Sequence, residues 1–345
     1  MQQKESSEVP QDRLKRLCRL VLRRFYFISR SHAFFHLFFC FLLLAEMVAL
    51  IFSLPTLFTH TWFAISLAIL MVTIFSYFSL RLYFQVKKPV QLRSLCAEYL
   101  ATAGDILNCQ EETVQFHISL SEAACKLARL LEEVEYRFYV APGWLPSLIP
   151  FFETVSCFFH WQDVLFMKEY LLLHSVHQHL EWVRSEPTNL EVHASLAQRY
   201  VALSHLYVNP KKLGDEKKKN RWTPFESHLA QMQKKYRIIA KQAKEEFTIL
   251  SHYAPKDPWV HLQLAYSYRD LQMPEREIAQ YERVLTLIPN DRETLFKLGV
   301  LYFQQGKNAE GLKIYERCRK GDPERAETLI QFYGAHKVVD QILLE

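Results

Sequence analysis

The sequence predicts an all-α protein in two parts, an N-terminal pair of apolar helices long enough to cross a bilayer and a C-terminal solenoid of short helix pairs. Three observations predict it. Two apolar runs, residues 33–54 with 22 residues and 61–80 with 20, are separated only by the short break 55–60. Beyond residue 91 the apolar side chains recur every three or four positions, with little of the alternation a strand needs. Prolines at 187, 255, 289 and 323 lie 68, 34 and 34 residues apart, a period that belongs to stacked helical units. Only 8 glycines in 345 residues argue against Gly-rich phosphate loops and doubly wound dinucleotide folds.

At about 1.5 Å per residue each apolar run covers the roughly 30 Å hydrocarbon layer. A cleaved signal peptide has a shorter apolar stretch and is not followed at once by a second span. The break is too short for the chain to do anything but turn back, so residues 33–84 read as a two-helix transmembrane hairpin. Arg13, Lys15, Arg16, Arg19, Arg23, Arg24 and Arg30 precede it, Arg81, Lys87 and Lys88 follow it, and the break holds neither lysine nor arginine. Positive flanks stay inside, which predicts a multi-pass membrane protein with both termini cytoplasmic.

Residues 1–32 form a basic, partly amphipathic cytoplasmic lead-in. Leu14, Leu17, Val21 and Phe25 share one helical face among arginines, the pattern of a helix lying on the membrane, and the arginines suit anionic lipid. Within the first span stand His36 and Glu46. A carboxylate in hydrocarbon is costly and marks an ion or proton path by default, but two spans enclose no path, so Glu46 reads first as a packing carboxyl.

Residues 85–187 predict helices, one through Leu92, Leu95, Tyr99, Ala103 and Ile106, and a second through Ala124, Leu127, Leu131, Val134 and Phe138 that ends at the breakers of 141–145. A third runs from Phe166 to Arg184. His174, His177, His179 and Glu181 fall on that third helix, and 174, 177 and 181 share a face that could present metal ligands. No matching half-site is spaced to complete it, and polar surface is the competing explanation. No nucleotide-binding, hydrolase, zinc-protease or calcium-loop motif occurs, so the sequence predicts no enzyme and no cofactor.

The solenoid spans 188–325. In 292–325, Leu295, Leu298, Gly299 and Tyr302 mark a first helix, Gly306 a turn, and Gly311, Tyr315, Cys318 and Pro323 a second helix. This resembles the tetratricopeptide repeat family. The unit before it supplies Leu264, Ala265, Tyr268, Leu271, Tyr281 and Pro289, but carries Glu277 and Val284 where that family usually places alanine, and Pro274 where it favours an aromatic. Further upstream, Leu196, Ala197, Tyr200 and Leu203 fit a first helix and Ala243, Phe247 and Pro255 a second, 34 residues too far apart. Either a degenerate repeat fills the gap or one unit is interrupted, with an insertion around 207–224 and a long second helix over 225–252. The lysine-rich stretch 211–222 favours interruption. Residues 326–345 read as a capping helix through Leu329, Phe332, Val338 and Ile342.

The resemblance implies a concave face lined by the first helices, at Trp259, Leu262, Tyr266, Arg269 and Asp270, then Glu293, Phe296, Val300, Phe303 and Gln304. Such a face suits an amphipathic helix or extended peptide, and it lacks the lysines and asparagines that clamp a C-terminal carboxylate. The expected function is a membrane-anchored adapter or scaffold that binds a protein or peptide partner. The alternatives are a subunit of a small membrane complex using Glu46 and a helical metal-binding enzyme using the histidines. The lysines of 211–222 would attract phosphate or anionic lipid, and no aromatic stacking pattern accompanies them, so no nucleic-acid partner is expected. The two-span hairpin also resembles the bilobed hydrophobic segment of chlamydial-type inclusion membrane proteins, although an ordinary bacterial inner-membrane protein carries the same basic flanks.

Overall fold

The computed structural model describes residues 2–53, 61–107, 114–140, 143, 146–208 and 225–334. Among these it has eleven α-helices and no strand. They fall into two compact units. The first reaches Glu181 and takes in His228 and Leu229; the second comprises Trp182–Val208 and the chain from Ala230 onward.

In the first unit, α1 (Gln2–Ser53) and α2 (Thr61–Leu107) are far longer than a bilayer requires. At 1.5 Å per residue they measure roughly 78 and 70 Å. The lead-in is therefore continuous with the first apolar run, and the predicted helix at 92–106 is the distal part of α2. Both helices contain windows long and apolar enough to cross a membrane, and these windows are almost entirely unburied by the protein itself.

One antiparallel register holds α1 and α2 together. Cys18 Sγ lies 3.5 Å from the Tyr99 hydroxyl, Arg24 bonds Glu98 at 2.7 Å, and the rings of Phe39 and Tyr77 lie 5.5 Å apart. Thr73 donates to Glu46 at 2.7 Å further along. Leu14, Val21 and Phe25, expected to face the membrane surface, are buried in this seam, with Phe25 edge-on to Phe138. A stripe spaced three and four residues apart serves a helical partner as well as it serves lipid.

Helix α3 (Val114–Leu130) ends sooner than the spacing predicts. Glu133 takes a left-handed φ of 59°, and a short 3-10 turn at Val134–Tyr136 leads into Phe138, so Val134 and Phe138 are buried from outside the helix. Helix α4 (Ile149–Ser185) is one continuous helix where only 166–184 was expected. It packs on α3 through Ser121 and Ser175, whose hydroxyls lie 2.6 Å apart.

The second unit pairs α5 (Leu190–His205) with α6 (Phe225–Tyr253), α7 (Pro258–Asp270) with α8 (Pro274–Leu287), and α9 (Arg292–Gln304) with α10 (Asn308–Gly321). Helix α11 (Pro323–Ile330) closes the series. Asn189, Asp257 and Asp291 cap the first helix of each pair by accepting a backbone N–H.

The interrupted unit has a structural signature. His261 holds Gln280 at 2.9 Å with one ring nitrogen and the Pro255 carbonyl at 2.9 Å with the other. His193 does the same with Glu246 at 2.7 Å and Pro187 at 3.0 Å. The first bridge joins residues 19 apart and the second residues 53 apart, and the difference equals one 34-residue insertion. Helix α6 has 29 residues against 14 for α8, which is the lengthened second helix the composition favours. The lysine stretch 211–222, the breakers at 141, 142, 144 and 145, the link 55–60, and Val338 and Ile342 lie outside the described residues.

Two cores hold this unit. Ala197, Phe247, Leu250, Val260 and Leu264 join the first pair to the second. Tyr281, Leu298, Tyr302, Phe303, Ile314 and Leu329 are among those that join the second, the third and α11. Leu329 of α11 is fully buried against Gly299, where an added Cβ would come within 2.7 Å of it.

Candidate functional site

The first helices α7 and α9 lie next to one another, and the turns between them set which side chains share a face. Leu262, Tyr266, Phe296 and Val300 are half-buried, resting on the core with one side open. Trp259, 37% exposed, stands edge-on to Phe247 with ring centres 6.0 Å apart.

Tyr266 is the centre of this face. Lys297 Nζ lies 4.7 Å from its ring centre and donates to its hydroxyl at 2.8 Å, while the Arg269 guanidinium stands over the ring at 5.1 Å. Two cations against one ring hold it by cation–π attraction. Lys297 also bonds the exposed Glu293. Burial alone would lower this lysine, but the hydrogen bonds with Glu293 and Tyr266 hold it above the usual lysine range. Lys297 was absent from the sequence-based set; its position four residues after Glu293 on a helix was the available signal.

Two expected groove residues are placed otherwise. Phe303 is fully buried, not open to a partner, because Gly311 of α10 leaves room for its ring: a Cβ on residue 311 would lie 2.5 Å from Phe303 Cε1. Asp270 is half-buried and accepts a hydrogen bond from Tyr236 of α6, and burial pushes its carboxyl above the usual range. Gln304 is exposed at the end of α9. The face that remains is an apolar floor of Leu262, Tyr266, Phe296 and Val300, edged by Trp259, Arg269, Lys297 and Glu293.

The other sequence candidates lie in the first unit. The Glu46 carboxylate accepts its bond from Thr73 across the α1–α2 seam, and the His36 ring lies 3.4 Å from the Tyr77 hydroxyl. The histidines of α4 diverge. His177 meets Glu181 at 3.8 Å on the exposed side, and His174 meets Gln178 at 3.3 Å. His179 turns inward to Ser121 at 3.1 Å and the Ser175 carbonyl at 3.0 Å. Among the described residues no three His, Cys, Asp or Glu side chains converge as a metal site. The buried polar seam between α3 and α4 was missed; its signal was His117, Ser121 and Cys125 at four-residue spacing, opposite Ser175, Gln178 and His179.

Two tetratricopeptide repeat family models match the chain, one over residues 260–291 and one over 293–324. They fall on α7–α8 and on α9 through the start of α11. No curated protein matches the chain. The half-buried apolar face therefore sits on the first helices of both matched units, and residues 260–324 are two consecutive tetratricopeptide repeats.

Proposed function

We propose that the protein is a membrane-anchored adapter that captures a partner protein at the cytoplasmic face. The observation that carries this reading is the open floor of Leu262, Tyr266, Phe296 and Val300 on adjacent first helices, held in place by the core beneath it. Half-buried apolar side chains with a rigid backing and a polar rim are the usual anchor of a peptide-binding groove, and an amphipathic helix or extended segment inserts its apolar side chains between them. No bond is made or broken; confinement to the bilayer raises the partner's local concentration. Helices α1 and α2 supply the anchor, and the basic residues on both flanks argue for termini on the cytoplasmic side.

The test is crosslinking capture with the full chain, compared with Leu262→Glu plus Phe296→Glu. The double variant is expected to lose the band, since each hot-spot loss costs about 2 kcal/mol or more. A band that survives it, and disappears instead with Glu46→Gln, overturns the adapter reading in favour of the intramembrane carboxyl. The Thr73 bond to Glu46 favours a packing role for that group.

A further inference from the structure

The first unit contains a cavity of about 840 Å³ between α1, α2 and α4. Its polar end is formed by His32, His36, Arg81, Gln85 and Lys88, together with Asp163. Its other end is formed by Leu37, Cys40, Phe158 and Phe159. The cavity lies where the apolar runs begin: Ala33 opens the run of α1, and Arg81 directly follows that of α2. A cavity charged at one end and oily at the other, at that level, has the polarity of a phospholipid.

Charge inside the cavity favours an anion. Lys88 is balanced by Asp163 at 2.6 Å. Burial works against the ionised Asp163, yet hydrogen bonds with His160 and Lys88 hold its carboxyl below the usual range. Arg81 forms no ion pair among the described residues, so one positive charge is left over, on the side chain whose planar fork best matches phosphate.

Helix α4 explains why the ligand would be a lipid and not a soluble phosphate. Its later turns pack on α3 through Ser175 and His179, Asp163 meets Lys88, and Phe158 and Phe159 reach the level of Leu37 and Cys40. Its N-terminal turns thus run toward the membrane end of the hairpin. There Phe151 is 61% and Phe158 65% exposed, and Leu148 and Ile149 are exposed beside them. From Val140 to Gln162 the only formal charge is Glu153. Only Ile149 to Gln162 of this stretch is helical in α4, 14 residues, which is too short to span and suits an interfacial or re-entrant segment. The cavity's oily end opens past Leu37, Cys40 and Phe158, all exposed, which a small anion would leave in water.

We propose that this cavity holds one anionic phospholipid, its phosphate on Arg81 and Lys88 and its chains along Leu37, Cys40 and Phe158, with the first turns of α4 set in the cytoplasmic leaflet as the outer wall. The proposal rests on the membrane reading of α1 and α2, and the test separates the two. The full chain is reconstituted in discs of phosphatidylcholine with phosphatidylglycerol, transferred to detergent, and weighed by native mass spectrometry. One phosphatidylglycerol per chain is expected to remain in preference to phosphatidylcholine. Arg81→Gln is expected to lower its retention roughly fivefold, the equivalent of about 1 kcal/mol for one basic contact. Arg93→Gln, the same charge change outside the cavity, leaves retention unchanged. Equal retention of both lipids, equal effects of the two variants, or displacement by inorganic phosphate each overturns the proposal. Release of the chain from membranes by alkaline carbonate would remove the membrane reading and this proposal together, whereas an anchored chain that keeps no phosphatidylglycerol loses the lipid site alone.

Discussion

The repeats at 258–291 and 292–325 fill one structural location in two ways. In the second, Phe303 of α9 is fully buried over Gly311 of α10. In the first, the residues 34 positions earlier are Arg269 and Glu277. Arg269 is exposed and swings over the Tyr266 ring, while Glu277 is buried and feels the Arg269 charge. Where one repeat buries a large ring over a glycine, the other has an exposed cation on its first helix and a buried acid on its second. The matching positions are thus filled by a ring in one repeat and by a buried carboxyl in the other, and only the latter repeat leaves its first-helix residue on the open face.

The largest test of this comparison is removal of the ring. Phe303→Ala leaves a cavity above Gly311 that neighbours fill only partly, and the expected loss is about 3–5 kcal/mol of stability. Arg269→Ala at the matching position is expected to cost under about 1 kcal/mol, since its guanidinium is solvated and held by an aromatic face. Denaturant unfolding of the two variants side by side reads the difference. Equal losses would mean that the two gaps are packed alike.

The second test uses pH. Burial pushes the Glu277 carboxyl up to about 7, despite the Arg269 charge and a hydrogen bond with Tyr281. The unfolded chain gives up this proton from about pH 4.5, so between there and 7 the unfolded state binds fewer protons and stability falls as pH rises. The penalty is absent below about pH 4.5 and complete above about 7, and it amounts to no more than about 3 kcal/mol. Glu277→Gln is therefore expected to raise the unfolding midpoint at pH 8 and to lose that advantage at pH 4.5. An advantage that does not change with pH would show that Glu277 is stabilised as the anion.

The same pair marks what was legible in the sequence. Glu277 stands out as an acid where small residues belong, and the 34-residue period fixes the register of every helix in both repeats. The burial of Phe303 was readable only by pairing it with Gly311 eight residues later; taken alone, its place on the first helix assigns it to the groove. The length of α6 was legible because the lysines before it cannot make a packed helix face, which leaves the second helix to the chain beyond them. In the first unit, the apolar runs were legible from hydropathy. The seam of Leu14, Val21 and Phe25 was not, because an amphipathic stripe records that a face is covered and leaves open what covers it. The apolar start of α4 escaped for a different reason: it falls short of the length at which hydropathy alone announces a membrane segment.

The smallest effect lies in the turns. Met273 donates to the Tyr268 carbonyl at 2.9 Å, and 34 residues on Lys307 donates to Tyr302 at 2.9 Å, so the two turns share one hydrogen-bond pattern. Each needs a left-handed residue, with φ of 57° at Gln272 and 71° at Gly306. Glycine takes that conformation without strain, while a residue with a Cβ gives up roughly 1–2 kcal/mol. Gln272→Gly removes the strain but frees the unfolded chain, which returns part of the gain. The expected net is about 1 kcal/mol of added stability, or a rise in Tm of about 2–4 °C. Gly306→Ala is expected to move the second repeat the same distance in the opposite direction. If Gln272→Gly destabilised instead, the glutamine side chain would have to contribute more than its backbone costs, and the two turns would be equivalent in hydrogen bonding but not in energy.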